Sequence, residues 1–110
     1  MKLPNPERAA VDIRKLRDYS LNPNHPRGCH KARVFASALG LSAYDAEDLR
    51  LALLTAARTQ DAEPLEVDEQ GARYVIEFEM QRDERHARIR SGWIVRRGED
   101  FARLTTCYVI

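Results

Sequence analysis

The spacing of apolar residues changes once along this chain. In the first half they recur at three- and four-residue intervals. Ala32, Phe35, Ala36 and Leu39 share one helical face, which predicts a helix from His30 to Leu39. Gly40 follows, and glycine commonly ends a helix in the left-handed conformation. Ser42 and Asp45 then make a capping-box pair, with Asp in place of the usual Glu. Leu49, Ala52, Leu53, Ala56 and Ala57 form the buried stripe of the next helix, which should end near Thr59. Two readings compete upstream. Either Asn5 and Pro6 open a helix, or AAVDI is a short strand and Asp12 caps a helical turn over IRKLRDY. We favour the second.

After the acidic stretch DAEPLEVDEQG, with room for a short edge strand, the period becomes two. Tyr74, Ile76, Phe78 and Met80 alternate with polar neighbours, as do Ala87, Ile89, Ser91, Trp93 and Val95. QRDE and RRGED read as turns. Pairing Met80 with Arg85 sets Glu77 opposite Arg88 and Ile76 opposite Ile89. Pairing Arg96 with Phe101 sets Trp93 opposite Leu104 and Ile89 opposite Tyr108. Both registers place Ile76, Phe78, Ile89, Trp93, Leu104 and Tyr108 on one face, and a one-residue slip would destroy that agreement. The other face carries Glu77, Glu79, His86, Arg88, Arg90, Arg103 and Thr105. The expected architecture is α+β, with N-terminal helices packed on a three- or four-stranded antiparallel meander.

A chain of 110 residues reads as one domain, residues 1–110. With 44% hydrophobic and 32% charged residues it has the composition of a soluble globular protein. No apolar run approaches the roughly 20 residues that span a bilayer, and MKLPNPERAA lacks the apolar core of a signal peptide. No membrane role is expected. A cytoplasmic location is, and delivery by a larger machine is compatible with it. Two cysteines, Cys29 and Cys107, are too few for a disulfide framework. Their spacing with His25 and His30 matches no zinc signature, so neither metal nor cofactor is expected.

The net charge of +1 hides an uneven distribution. Residues 1–40 hold 8 basic and 3 acidic side chains, residues 41–79 hold 3 and 10, and residues 80–110 hold 7 and 4. From Tyr19 to Tyr44 there is no Asp or Glu. His25, Arg27, His30 and Lys31 therefore crowd the start of a helix, where the backbone dipole disfavours cations. An anion bound at that helix start would offset the repulsion.

The segments YSLNPNHPRGCHKARVFASALGL and RSGWIVRRGEDFARLTTCYVI resemble a bacterial domain-of-unknown-function family with the pattern L-x-x-Y-x-L-N-P-x-H-P-x-G-x-x-K-A-x-x-F-x-x-x-L-G. The resemblance covers residues 9–110. Carried over by position, the pattern falls on His25, Pro26, Gly28, Lys31, Ala32 and Phe35, and later on Trp93. Cys29 stands where Gly or a polar residue would be expected. Similar segments look like C-terminal domains of polymorphic and contact-dependent toxins, often ribonucleases of the barnase–EndoU–colicin–RelE type. The resemblance implies a small toxin-like domain, an RNA substrate and a cognate antitoxin or immunity protein.

Metal-independent RNA cleavage through 2′-hydroxyl attack needs a base, an acid and cations that stabilise the phosphorane. His25 is the candidate acid or base. Lys31 is the candidate for transition-state charge. Arg27, His30, Arg90, Arg103 and Thr105 are candidates for holding phosphates or RNA. His86 is expected to pair with Glu79, Trp93 to lie in the core, and Tyr19 and Tyr44 to pack. In the alternative function, the basic 25–33 segment docks an acidic protein without catalysis.

Overall fold

The computed structural model describes residues 1–110 as an α+β fold, with helices on one face of a four-stranded antiparallel sheet in the order β1-β2-β3-β4. Each strand follows its neighbour in sequence, so the sheet is a simple meander. The N-terminal stretch makes a 3-10 turn at Pro6–Arg8, then touches β4 (Arg103–Val109) through one parallel bridge between Ala10 and Arg103. Asp12 caps α1 (Ile13–Lys15) by accepting from the Arg14 N–H, and the chain continues through a wide π-type turn, Leu16–Ser20. The favoured reading of AAVDI and IRKLRDY therefore holds, with the strand reduced to a single bridge.

Helix α2 spans Cys29–Leu39 and buries Ala32, Phe35 and Leu39. Gly40 ends it at φ 66°, with the Leu41 N–H returning to the Phe35 carbonyl. Arg82 donates to the carbonyls of Gly40 (2.9 Å) and Leu39 (3.4 Å), satisfying groups the helix end leaves free. The expected capping box is present. The Ser42 N–H donates to Asp45 Oδ2 at 2.9 Å and the Tyr44 N–H to Ser42 Oγ at 3.3 Å. Helix α3 (Ala46–Thr59) then buries Leu49, Leu53, Leu54, Ala56 and Ala57. Tyr44, expected to pack, is fully exposed, because the 3-10 turn Ala43–Asp45 turns its ring away from α3's buried stripe.

Strand β1 (Glu63–Asp68) is the short edge strand, and β2 (Gly71–Arg82) and β3 (Arg85–Arg96) are the long central pair. Their register differs from the expected one by two residues. Arg82 pairs with Arg85, Phe78 with Ile89 and Ile76 with Ser91. Asp83 at φ 56° permits a two-residue turn, tighter than the QRDE loop inferred from composition. A two-residue offset keeps every side chain on its face, so the expected core survives.

The second hairpin begins as expected, with Trp93 opposite Leu104, and then shifts. Gly92 pairs with Thr106, Arg90 with Tyr108 and Ile89 with Val109. A β-bulge at Thr105 accounts for the extra residue. Beyond it Cys107 faces the core, and Tyr108 lies on the outer face rather than the apolar one. Phe35, Leu49, Leu53, Ile76, Ile89, Trp93, Leu104 and Cys107 are all essentially inaccessible. Full burial stabilises each large aliphatic or aromatic side chain by about 1.5–3 kcal/mol. Ser91 is buried among them, donating to the Ile76 carbonyl at 2.8 Å and accepting from Trp93 Nε1 at 2.9 Å. No helix is long and apolar enough to cross a membrane.

Candidate functional site

The bulge in β4 organises the region where the helices meet the sheet edge. It sets Thr105 and Thr106 side by side over Gly92, where a Cβ would lie 2.9 Å from Thr105 Oγ1. Lys31, in the first turn of α2, reaches β4 and donates from Nζ to Thr106 Oγ1 at 2.9 Å. Its ammonium lies 5.2 Å from the centre of the Tyr19 ring and 5.6 Å from that of Tyr108. Aromatic faces attract a cation without neutralising it. No carboxylate lies within ion-pair distance of Lys31, since the neighbouring acids are engaged elsewhere. Arg14 holds Asp12 at 2.8 Å and Arg17 holds Asp18 at 2.9 Å. Hydrogen bonds from Arg14 bring the Asp12 carboxyl down to about 2.

His25 sits at the turn before α2. Its Nδ1 accepts from the backbone N–H groups of Arg27 and Gly28, each at 3.0 Å. The imidazole thus closes the turn before α2 as an Asn or Asp side chain closes a local turn two and three residues on, while α2 itself has no side-chain cap. With Nδ1 accepting, the neutral ring carries its proton on Nε2. The ring meets Tyr19 edge-on, with centroids 4.6 Å apart. Gly28 makes this closeness possible, because a Cβ there would collide with the Tyr19 carbonyl. The LNPNHPRG turn and the Tyr19 turn are therefore locked together, with Lys31 directly beside them.

Two open grooves flank the Thr105–Thr106 wall. One, of about 510 Å³, includes Lys15, Tyr19, Ser20, His25 and both threonines in its lining. The other, of about 270 Å³, lies on the outer sheet face and includes Arg73, Arg90, Tyr108 and the same threonines. Arg90 stands directly across from Tyr108 and approaches Glu77 at 3.6 Å. Thr105 and Thr106 separate the two grooves: His25 lines the first, Arg90 the second, and Lys31 reaches Thr106 without lining either. Arg103 belongs elsewhere, with its guanidinium forked by Glu99 at 2.9 and 2.7 Å and lying over Phe101. Arg27, in the turn before α2, and His30, in its first turn, are exposed without a side-chain partner. His86 pairs with Glu79 at 3.1 Å, diagonally rather than directly opposite.

Sequence reading missed Thr106 as a contributor and assigned Tyr19 and Tyr108 to packing. A signal for Tyr19 was its place in Y-x-L-N-P-x-H-P, two residues before the turn that carries His25. The bulge that exposes Tyr108 has no comparable signature. No group of three or more His, Cys, Asp or Glu side chains is placed to hold a metal ion. Cys29 and Cys107 are both free thiols. Burial pushes the Cys107 thiol up to about 11, partly countered by the Ser20 hydroxyl and by Lys31.

A family profile described as "Domain of unknown function (DUF6883)" matches residues 2–110. The chain belongs to that family. No curated protein matches this DUF6883 member. Among solved structures it is similar to a chain of the "Contact-dependent growth inhibition toxin - immunity protein complex from Klebsiella pneumoniae 342". The two share 13% identity at a TM-score of 0.68, covering 91% of this chain and 98% of that one. At this identity the likeness is one of fold. It covers the helices and the meander together.

Proposed function

We propose that this chain is a toxin-like domain that binds RNA at the Thr105–Thr106 wall and cleaves it through attack of the 2′-hydroxyl. The observation that carries the reading is Lys31, an ammonium with no carboxylate partner, anchored to Thr106 beside His25. Thr106 and two aromatic rings hold this half-buried ammonium in place without neutralising it. A phosphate is the partner that it lacks.

The geometry sharpens the role of His25. Its Nδ1 is committed to two backbone N–H groups, so only Nε2 is free to meet a substrate. As the bound tautomer stands, Nε2–H is a donor. To serve as a base, the ring would have to move its proton to Nδ1, stranding both backbone donors at about 1–3 kcal/mol for each buried one. The donor role is therefore favoured. Nε2–H and the Lys31 ammonium would together stabilise the charge that builds on the non-bridging oxygens as the 2′-oxygen attacks, its proton passing to water, and the 5′-oxygen leaves with a proton taken from water. Tyr108 and Arg90 would hold a flanking nucleotide on the outer face, the ring by stacking and the guanidinium by its phosphate. Arg27, His30 and Thr105 are more peripheral in this scheme, and Arg103 enters it only by leaving Glu99.

The test is incubation of the purified protein with total tRNA and rRNA in the presence of a chelator. Fragments ending in 2′,3′-cyclic phosphate, lost on Lys31→Ala, are expected. Intact RNA across pH 6–8 would overturn the reading.

One observation favours a second reading. Arg27 in the turn before α2, and His30 and Arg33 on its exposed side, recur every third residue, and none has an acidic partner. In that reading the stripe docks an acidic protein, of the immunity or antitoxin kind, and the domain acts by binding. Arg33→Glu would weaken such a complex at least about tenfold, and in this reading the purified protein leaves RNA intact.

A further inference from the structure

Strand β1 covers only part of β2. Its pairing runs from Asp68 opposite Gly71 to Glu63 opposite Val75, leaving β2 without a neighbour on that side from Ile76 to Arg82. The hydrogen-bond phase of the β2–β3 ladder shows which backbone groups are left over. The Arg97 N–H donates to the Gln70 carbonyl, and the two-residue turn closes on Arg82 and Arg85. Even-numbered residues of β2 therefore bond β3, and odd-numbered ones face the other way. Glu77, Glu79 and Gln81 direct their N–H and C=O groups to the open edge, where no group of the chain meets them.

Sheet edges are usually blunted by a bulge, a proline, a lysine or a covering loop. This one has no bulge, proline, lysine or covering loop, and its guard is the charge of Glu77 and Glu79. It borders a groove of about 460 Å³ between β2 and α3, lined on the helix side by Leu51, Ala52 and Thr55. Leu51 is 53% exposed. The carboxylates along the edge are only loosely paired. Glu77 approaches Arg88 and Arg90 at 3.6 Å each, Glu79 meets His86 at 3.1 Å and Asp48 lies 3.7 Å from Arg82, yet Asp48 and Glu79 remain more than half exposed. The one arginine in the groove, Arg82, is occupied by Asp45 and the Gly40 carbonyl.

We propose that the Glu77–Gln81 edge is a strand-addition site for an extended, basic segment of a partner protein. The incoming backbone would pair with the three odd-numbered residues. Its alternate side chains would be apolar, over Leu51 and Ala52, and basic, beside Glu77 and Glu79. A second copy of this chain fits poorly. Antiparallel self-pairing on this edge sets Glu77 and Glu79 against their own counterparts, and like charges directly opposed are destabilising. The site lies apart from the Thr105–Thr106 wall, so the proposal does not depend on RNA cleavage.

The probe is a capped heptapeptide of alternating Lys and Val, titrated into the intact protein and followed by amide NMR and hydrogen exchange. Saturable binding is expected, with new protection at Glu77, Glu79 and Gln81. The alternating Glu and Val peptide should bind at least about tenfold more weakly. Glu79→Pro removes an edge N–H that bonds nothing in the free protein, so it should preserve the circular dichroism spectrum and weaken binding about tenfold or more. Leu51→Lys, which leaves the backbone untouched, is the second variant, with the same loss expected. The proposal is overturned by absent protection at the three residues, by equal binding of both peptides, or by peptide binding that survives both substitutions. Concentration-dependent dimerisation that protects the same edge would overturn the assigned occupant.

Discussion

His25 combines two duties that substitution can separate. Its Nδ1 closes the turn that leads into α2, and its ring lines the groove. His25→Ala removes both. Losing the acceptor that closes the turn costs about 1 kcal/mol, and losing the edge contact with Tyr19 removes about 0.5–1.5 kcal/mol more. The Gly28 N–H is the costlier orphan, because that residue is buried while Arg27 is open to water. His25→Ala should therefore lose about 1.5–2.5 kcal/mol. His25→Asn places Oδ1 close to where Nδ1 was, and so keeps the acceptor while deleting Nε2–H. It should lose only the ring contact, about 0.5–1.5 kcal/mol. Urea unfolding followed by the fluorescence of the buried Trp93 measures both. If RNA is cleaved as proposed, the two variants should lose activity alike, by about 100-fold or more, despite unequal stability. Equal destabilisation by Ala and Asn would refute the turn-closing role of Nδ1. Full cleavage by the Asn variant would refute a chemical role for Nε2.

Three further outcomes are expected. Ser91→Ala leaves the Trp93 indole N–H buried without an acceptor, so stability measured by urea should fall by about 1–3 kcal/mol, whereas a similar change at the exposed Ser42 side chain costs only the cap. The Asp45 carboxyl is held below its ordinary 3.8, first by the Ser42 backbone N–H and then by the Ser42 hydroxyl and Arg82. Its contribution to stability is thus complete above that value and lost as pH falls through the depressed one, and Asp45→Asn should flatten this part of the acid limb in urea midpoints taken from pH 6 to 2. At pH 8 a thiol reagent should label Cys29 readily and Cys107 only after denaturation, because Cys107 is inaccessible and its thiol lies near 11; rapid labelling of two thiols in the native protein would contradict the buried placement.

Local chemistry explains why much of the fold was legible in the chain. Helix ends, the Ser42–Asp45 cap and the faces of β2 and β3 depend on residues three or four apart, or on alternation alone. Alternation is insensitive to a two-residue offset, so the core on β2 and β3 was right even where the pairing of Ile76 was not. His25 and Lys31 could be named because the absence of acids from Tyr19 to Tyr44 is a property of sequence.

Tertiary structure decided what no local pattern encodes. The bulge at Thr105 arises where Gly92 leaves room for the Thr105 hydroxyl, and it alone moves Tyr108 from the core to the outer face. Lys31 and Thr106 lie 75 positions apart and meet only because α2 packs across β4. Arg103 was assigned to phosphate by its face, yet Glu99 four residues earlier claims it once the loop between β3 and β4 closes. The tautomer of His25 follows from two backbone donors whose directions are set by the turn. Each of these outcomes depends on distances between segments, and periodicity carries no information about those.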